Sequence, residues 1–411
     1  MSSITTLPER CDVLIVGAGP AGSACGQWLA RAGFDVVLVD QHDFPRDKTC
    51  GDGLIPDAHA ALRRLGVHDE VMRLAQPVSH VRCFAPSGRF VDVPGQLAVL
   101  PRRELDQVLV DAAQRAGARL CTPWRFEATL KDDSGRVTGA RFKRVGGDRE
   151  TCEVHADHVA LATGAAPQAL VASGLCERRV PSAMGLRGYV RNPAMVGRIT
   201  NLEVVWHPKL KPGYGWIFPC RDGVFNIGVG IIDSHKPHDH TMRDLNLREV
   251  FDAFTKLHAP AAALLDGGEW VGKLEGAPLR SSLTGARFAE PGVLVTGEAG
   301  GSTYSFTGEG IGKAMETGLL AAEALIAARD ERLDEAALAA RYTQSLARLK
   351  PKFDLYERGN SANHYPWLIE ILIRRAARSE RLRQRMSHVL EERSTPAQLF
   401  TLRGLYKLMI E

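Results

Sequence analysis

The chain has eight cysteines but no CxxC pair, so its sequence signals neither a zinc site nor a disulfide framework. It lacks any apolar run near the roughly 20 residues needed to span a bilayer. It has no internal repeat and no low-complexity tract. Charge is nearly balanced, with 52 Lys and Arg against 48 Asp and Glu, and a net +4 does not point to nucleic acid. Met1 to Arg10 is polar and leads straight into an apolar strand, so no secretory leader is expected and a cytoplasmic location is. What remains is ordinary soluble protein: 45% hydrophobic, 24% charged, and at 411 residues long enough for two or three domains.

The first forty residues carry the strongest signal. Cys11-Asp12-Val13-Leu14-Ile15-Val16 runs into Gly17-Ala18-Gly19-Pro20-Ala21-Gly22, and a second strand, Val36-Val37-Leu38-Val39, ends at Asp40. Gly17 suits the tight turn, Gly19 lets backbone approach a pyrophosphate, and Gly22 lets helix and strand pack closely. Unpaired N–H groups at the new helix start favour an anion. Asp40 follows Gly22 by 18 residues, the distance expected for hydrogen bonds to a ribose. A plain strand-to-helix turn has no use for that acid, so the segment reads as dinucleotide-binding.

The pattern then breaks and returns. A helix is expected over Pro56–Leu65, strands between Val81 and Val99, and a helix opening at Arg103 with Leu105, Val108, Leu109 and Ala112 on one face. Three short strands fill Glu127 to Val159, and the last feeds Val159-Ala160-Leu161-Ala162-Thr163 and a turn at Gly164. From Ser182 to Leu279 the sequence alternates, with strands expected at Met184–Arg191, Asn201–His207, Gly215–Pro219 and Val224–Ile232. Val293-Leu294-Val295-Thr296-Gly297 then resumes the buried-strand pattern, and a helix opens after Gly308.

The fold class expected is therefore α/β. A doubly wound, Rossmann-like dinucleotide domain would comprise residues 1–80, 100–180 and 285–340, with an inserted antiparallel substrate domain over 81–99 and 181–284. A helical, arginine-rich tail would cover 341–411.

Gly297-Glu298-Ala299-Gly300-Gly301, followed by Gly308-Glu309-Gly310-Ile311-Gly312, is a second glycine-rich strand-to-helix junction. A long dinucleotide needs its far end held too. Glu298 suits a ribityl chain, and a helix starting near Gly310 would direct its positive end at the flavin edge that becomes anionic on reduction. NAD has no need of this second clamp, so the pair of junctions favours FAD.

At this point the chain resembles the FAD-dependent geranylgeranyl reductase family, within the flavoprotein hydroxylases, halogenases and reductases. The resemblance rests on the two junctions, on Pro45-Arg46-x-Lys48-x-Cys50-Gly51-x-Gly53, on Arg103-x-x-Asp106, and on Tyr214-Gly215-Trp216-Ile217-Phe218-Pro219. The last is similar to that family's Tyr-x-Trp-x-Phe-Pro and differs from the Trp-x-Trp-x-Ile-Pro of halogenases. The resemblance implies that Gly17, Gly19, Pro20, Ala21, Gly22 and Asp40 hold the ADP half, and that Arg46, Cys50 and Gly51 run along the flavin. It further implies that Arg103 meets the phosphates, and that Glu298, Gly310 and Ile311 hold the ribityl chain and ring, with the Gly164 turn close by. Three residues depart from pattern: Glu298 stands where the family has Asp, Thr163-Gly164 where hydroxylases have Asp-Gly, and Ser305 where reductases have proline.

For chemistry beyond the cofactor, Cys50, near the basic groups of Arg46 and Lys48, is expected to have a lowered pKa and to act as acid or nucleophile, unless it is a small packing residue. Tyr214 and Trp216 are expected to line the substrate face, or else to be one core face of a strand. His235, His238 and His240 lie in a polar loop without an acidic second shell, and no metal is expected. The basic stretch Arg374–Arg385 reads as an amphipathic helix packed on the body with its arginines solvated; the alternatives are a membrane surface or a carrier protein.

The leading function is reduction of carbon–carbon double bonds in an isoprenoid or other lipophilic substrate, with hydride from reduced flavin and a proton expected from Cys50 or Tyr214. The alternatives are an aromatic monooxygenase and a flavin-free prenyl-binding escort. No second nucleotide fingerprint is visible, so electrons are expected from visiting NADPH, a separate reductase or a ferredoxin.

Overall fold

The computed structural model describes residues 6–146, 150–176, 181–232 and 245–393. Arg10–Val16 is a central strand, parallel on both sides, with Leu14 opposite Val37 in one neighbour and Val159 in the other. The sheet runs Ala289–Glu290, Val293–Val295, Thr151–Leu161, Arg10–Val16, Val36–Val39, Arg119–Cys121. Trp124–Lys131 and Val137–Arg144 extend antiparallel from Thr151–Leu161.

Successive side chains on a strand point to opposite faces. Val13 and Ile15 therefore pack under the helices Pro20–Arg31 and Ile311–Glu331, while Leu14 and Val16 meet Trp124 and Phe142 of the antiparallel extension. Cover on both faces explains why these strands read as unbroken apolar runs. The two helices touch at backbone distance: a Cβ added to Gly318 would lie 2.3 Å from the Ala21 carbonyl oxygen. The Pro20–Arg31 helix, which follows the first glycine junction, is thus locked against the Ile311–Glu331 helix, which follows the second.

The other sheet runs Glu269–Leu279, Ala183–Arg191, Val224–Ile232, Gly213–Pro219, Leu202–Val205, Gln76–Phe84, Phe90–Val99, Gly53–Leu54. It is antiparallel except where Leu202–Val205 pairs in parallel with Val81–Phe84. Gly53–Leu54 and the start of Gln76–Phe84, read from sequence as part of the dinucleotide unit, pair here instead. The helices Leu247–Leu257 and Ala259–Leu265 and the strand Glu269–Leu279 are additions to the expected elements. That strand is exposed along most of its length and contains Gly272, Gly276 and Pro278, so it carries no apolar alternation to read.

The two faces of this sheet differ in what covers them. Ile217, Ile227 and Val229 pack under Phe251 and Phe254. Tyr214 and Trp216 face the other way, toward the helix Pro366–Ala376 and its successor Glu380–Leu390. The tail is fastened by named bonds: Glu370 accepts from Ser87 N at 3.0 Å and Ser87 Oγ at 2.8 Å, and Ser387 Oγ donates to Pro94 O at 2.9 Å. Ile369, Leu372 and Ile373 point inward, whereas Arg374, Arg378 and Arg381 are exposed. Among the described residues no helix is long and apolar enough to cross a membrane.

Candidate functional site

One continuous cavity of about 930 Å³ begins at the carboxyl ends of the parallel strands and runs on to the Tyr214–Trp216 face of the second sheet. Such crevices are where ligands of doubly wound folds bind. Gly17 follows the central strand at φ +100°, and a Cβ there would lie 2.4 Å from the Ala162 carbonyl oxygen. Gly22 is not on the cavity wall; it stands behind the turn, where a Cβ would meet Gly17 O at 1.8 Å. Asp40 closes this end. Its Oδ2 accepts from Ala18 N at 2.9 Å and its Oδ1 from His42 N at 3.0 Å. Burial opposes its charge, but the His42 hydrogen bonds, the Arg46 charge and the Ala18 N–H together hold its carboxyl below the usual range.

The arginine expected at the phosphates needs correction. Arg103 is exposed and lies off the cavity, whereas Arg102 is buried and on its wall. The helix Arg102–Arg115 starts one residue earlier than the sequence suggests. Positions 102 and 106 share a face one turn apart, and position 103 is rotated to solvent. Arg102 Nε and Nη2 meet the two oxygens of Asp106 at 2.6 and 2.8 Å, and Arg46 Nη2 reaches the same carboxylate at 3.1 Å. One fully buried acid thus aims two guanidinium groups at the cavity.

Among the other expected residues, Gly19, Pro20 and Ala21 line the wall, as do Cys50, Gly51 and Gly164. Glu298, Gly310, Ile311, Tyr214 and Trp216 line it as well. The caps of the helices Pro20–Arg31 and Ile311–Glu331 are Gly19 and Gly310, and neither offers a capping side chain. Their first N–H groups are left for a ligand. Thr163 has a buried hydroxyl without a partner on the same wall, and Gly164 at φ +71° has open space where a Cβ would stand. Two uncapped helix starts, two arginines and an orphaned hydroxyl suit a dinucleotide such as FAD. The Glu298 carboxylate accepts from Thr303 Oγ1 at 3.3 Å, which orients it in its loop.

Cys50 does not sit between free cations. Arg46 is engaged with Asp106, and Lys48 Nζ turns to Thr49 O at 3.2 Å. The cation that interacts with the thiol is Arg102, and the sulfur accepts Asp52 N–H at 3.4 Å. Tyr214 donates its hydroxyl hydrogen to Thr307 O, and burial, with Glu309 nearby, pushes its pKa up. Ser305, the departure from the family's proline, is buried with its hydroxyl unpartnered and lies off the cavity wall. The histidines His235, His238 and His240 lie outside the described residues.

Three features went unread in the sequence. Glu309 lines the cavity beside Tyr214, and burial with the Asp57 and Glu392 carboxylates pushes it up to about 8. Trp206 and Phe306 stack at 6.3 Å, and Asn363 of the tail fixes both, accepting Trp206 Nε1–H at 2.8 Å and donating to Phe306 O at 3.0 Å. The tail itself supplies Ile369, Leu372, Ile373, Met386 and Leu390 to the cavity wall.

Similarity to known proteins decides the family. A family model described as "FAD binding domain" matches residues 10–344. Menaquinone reductase of Mycolicibacterium smegmatis is 34% identical over 333 residues, 76% of either chain. Geranylgeranyl diphosphate reductase of Rhodobacter capsulatus is 30% identical over 325 residues, 77% of this chain and 75% of that one. The chain belongs to the FAD-dependent geranylgeranyl reductase family. It is an FAD-dependent oxidoreductase, which removes the flavin-free escort alternative. A crystal structure of a geranylgeranyl bacteriochlorophyll reductase-like protein from Thermoplasma acidophilum superposes with TM-score 0.75 at 20% identity, covering 98% of this chain and 96% of that one. At that identity the likeness speaks for the fold, and the cofactor assignment stands on the family match.

Proposed function

We propose that the enzyme reduces carbon–carbon double bonds in the isoprenoid chain of a lipid. The observation that carries this reading is the apolar arm of the cavity. It leaves the strip Cys50–Gly51 and continues between Val81, Val93, Val204 and the tail residues Ile369, Ile373 and Leu390. Its wall toward the second sheet is a run of rings, with Trp206–Tyr214 centroids 5.7 Å apart, Tyr214–Trp216 6.3 Å and Trp216–Phe218 6.4 Å. A long chain with few polar atoms is what such a surface binds, by removal of apolar area from water. The relatives' names support the choice: menaquinone, geranylgeranyl diphosphate and digeranylgeranylglycerophospholipid differ in headgroup and share an isoprenoid chain.

Bound FAD, once reduced, supplies a hydride. The residues of the chain do the rest. Arg46 and Arg102 hold the pyrophosphate, Asp40 the ribose of the ADP half, and Glu298 with the Gly310–Ile311 helix start the ribityl chain and ring. The aromatic run keeps the alkene in register and excludes water. Glu309 supplies the proton, because an acid with a pKa near the working pH transfers most effectively, whereas the Tyr214 hydroxyl is committed to Thr307 O. Electrons come from outside the chain, from NADPH or a separate reductase or ferredoxin. The tail's exposed arginines leave a peripheral contact with a membrane or carrier as the route by which a lipid arrives.

Anaerobic reoxidation of reduced enzyme tests the reading. Polyprenyl compounds should reoxidise the flavin and aromatic acids or phenols should not. Reoxidation by oxygen through a long-lived absorbing species, coupled to hydroxylation of an aromatic compound, would establish the monooxygenase alternative instead.

A further inference from the structure

Asp52 is fully buried and stands at φ +64°, in the left-handed region that non-glycine residues rarely occupy. Gly51 and Gly53 flank it, so the chain keeps an acid where glycine would relieve the strain. A strained residue persists when its surroundings over-determine it, and here the surroundings are polar. Oδ1 accepts Arg102 N–H at 3.3 Å, and Oδ2 accepts Asn226 Nδ2 at 2.7 Å together with the Tyr189 hydroxyl. Asn226 Nδ2 also donates to Cys50 O at 2.8 Å, and Asn226 Oδ1 accepts Trp216 Nε1–H at 2.9 Å. Asp52 N–H completes the loop by donating to Cys50 Sγ at 3.4 Å.

Three cavity-wall residues are thereby tied to Asp52: Arg102 by its backbone N–H, Trp216 by way of Asn226, and Cys50 by way of Asn226 and the Asp52 N–H. Arg102 comes from the pyrophosphate side, Cys50 from the strip beside the flavin, and Trp216 from the substrate wall. An ionised carboxylate only accepts, which matches three converging donors, the Arg102 backbone N–H, the Asn226 amide and the Tyr189 hydroxyl; a proton on Oδ1 would point at the Arg102 N–H, and one on Oδ2 must displace Asn226 or reverse the Tyr189 hydroxyl bond, so the set is rearranged either way. We propose that Asp52 is a positioning residue whose ionised form locks Arg102, Cys50 and Trp216 into their arrangement around bound FAD, and whose protonation releases them. The proposal rests on the reading of the cavity as the flavin and substrate site.

The groups that face Asp52 set when release occurs. Burial raises its pKa to about 6, against the Tyr189 hydrogen bond, the Arg187 charge, the Asn226 hydrogen bond and the Arg102 charge. Arg187 and Tyr189 share the strand Ala183–Arg191, with the guanidinium 4.2 Å above the phenol ring and Nη2 on Lys48 O at 3.0 Å. Arg102 has its own counter-ion in Asp106. The remaining titratable neighbours are the thiols of Cys50 and Cys220, the latter buried just after the strand Gly213–Pro219.

The test titrates FAD affinity against pH in holoenzyme, Asp52→Asn and Tyr189→Phe, by flavin fluorescence and without substrate. Failure of the reductase reading therefore leaves it intact, and circular dichroism at each pH reports folding. Wild type should lose affinity on the order of tenfold as pH falls through about 6. Tyr189→Phe should shift that step to higher pH, since the lost bond favours the carboxylate. Asp52→Asn should be weak at neutral pH and show no step. A wild-type affinity flat across this window, an unmoved step in folded Tyr189→Phe, or a preserved step in folded Asp52→Asn would each overturn the proposal.

Discussion

Arg102 and Asp106 form a two-pronged ion pair one helical turn apart, and Arg46 shares the same carboxylate at 3.1 Å, on the Oδ2 that Arg102 Nη2 also meets. Neighbouring Arg103 is in solvent. Arg102→Ala should therefore weaken FAD binding about tenfold to a hundredfold, the cost of one charge-assisted hydrogen-bond partner, and Arg103→Ala should leave it unchanged. Flavin fluorescence quenching measures both. Equal losses would mean that the helix presents its other face to the cofactor.

Glu309 is held protonated to about 8 by its burial and by the Asp57 and Glu392 carboxylates. Its folded pKa lies above the unfolded value, so its contribution to stability is complete at low pH and fades as pH rises through about 8. The same sign holds for proton donation, which is present below that pH and lost above it. Glu309→Gln should slow single-turnover flavin reoxidation by two to four orders of magnitude, the ordinary yield of general acid catalysis, with FAD affinity retained. A variant as fast as wild type would remove Glu309 from the mechanism.

Ile373 is buried on the cavity side of the Pro366–Ala376 helix. Ile373→Trp should fill the apolar arm and raise KM for long polyprenyl substrates far more than for short ones. Overpacking should cost about 1–3 kcal/mol of stability. Chain-length profiles of KM measure this directly. A uniform loss across chain lengths would show that the tail does not meet the substrate.

Gly318 faces Ala21 O so closely that a Cβ would stand 2.3 Å away. Helix propensity alone favours Gly318→Ala by up to about 1 kcal/mol. Backbone contact leaves the neighbouring helix no room, and the overpacking cost of about 1–3 kcal/mol should win. Thermal unfolding should show a lower Tm, and FAD binding should weaken with it because both glycine junctions shift. A raised Tm would contradict the helix contact.

What was legible in sequence were features whose meaning is local. Gly17, Gly22 and Asp40 announce a turn, a close packing and an acid within one βαβ unit, and the structure sets Gly17 and Asp40 at adjacent strand ends with Gly22 packed behind the turn. The arginine was misplaced by one residue because a helix start cannot be read more finely than that, and Pro101 as N-cap turns Arg102 inward. Glu309 gave no sign of its altered acidity, because the carboxylates responsible, Asp57 and Glu392, are remote in the chain. The Asp52–Asn226 bond joins residues 174 apart. The basic stretch Arg374–Arg385, expected as one amphipathic helix, is divided between Pro366–Ala376 and Glu380–Leu390, with Arg383 bonded back to Ala376 O and Ala377 O; what their apolar face meets, an open cavity and not only a core, is a tertiary fact. At Cys50 the cations adjacent in sequence, Arg46 and Lys48, have other partners in space, and the cation at the thiol is Arg102, fifty-two residues on.

The account turns on a cavity that delivers an isoprenoid alkene to the flavin. Mass analysis of the product from reduced enzyme and an isoprenoid-chain lipid under anaerobic conditions tests this most directly. One double bond fewer, with two hydrogens gained and the headgroup untouched, is the expected outcome. Unchanged chain with an oxygen inserted when air is admitted, or reduction confined to the headgroup, would contradict it.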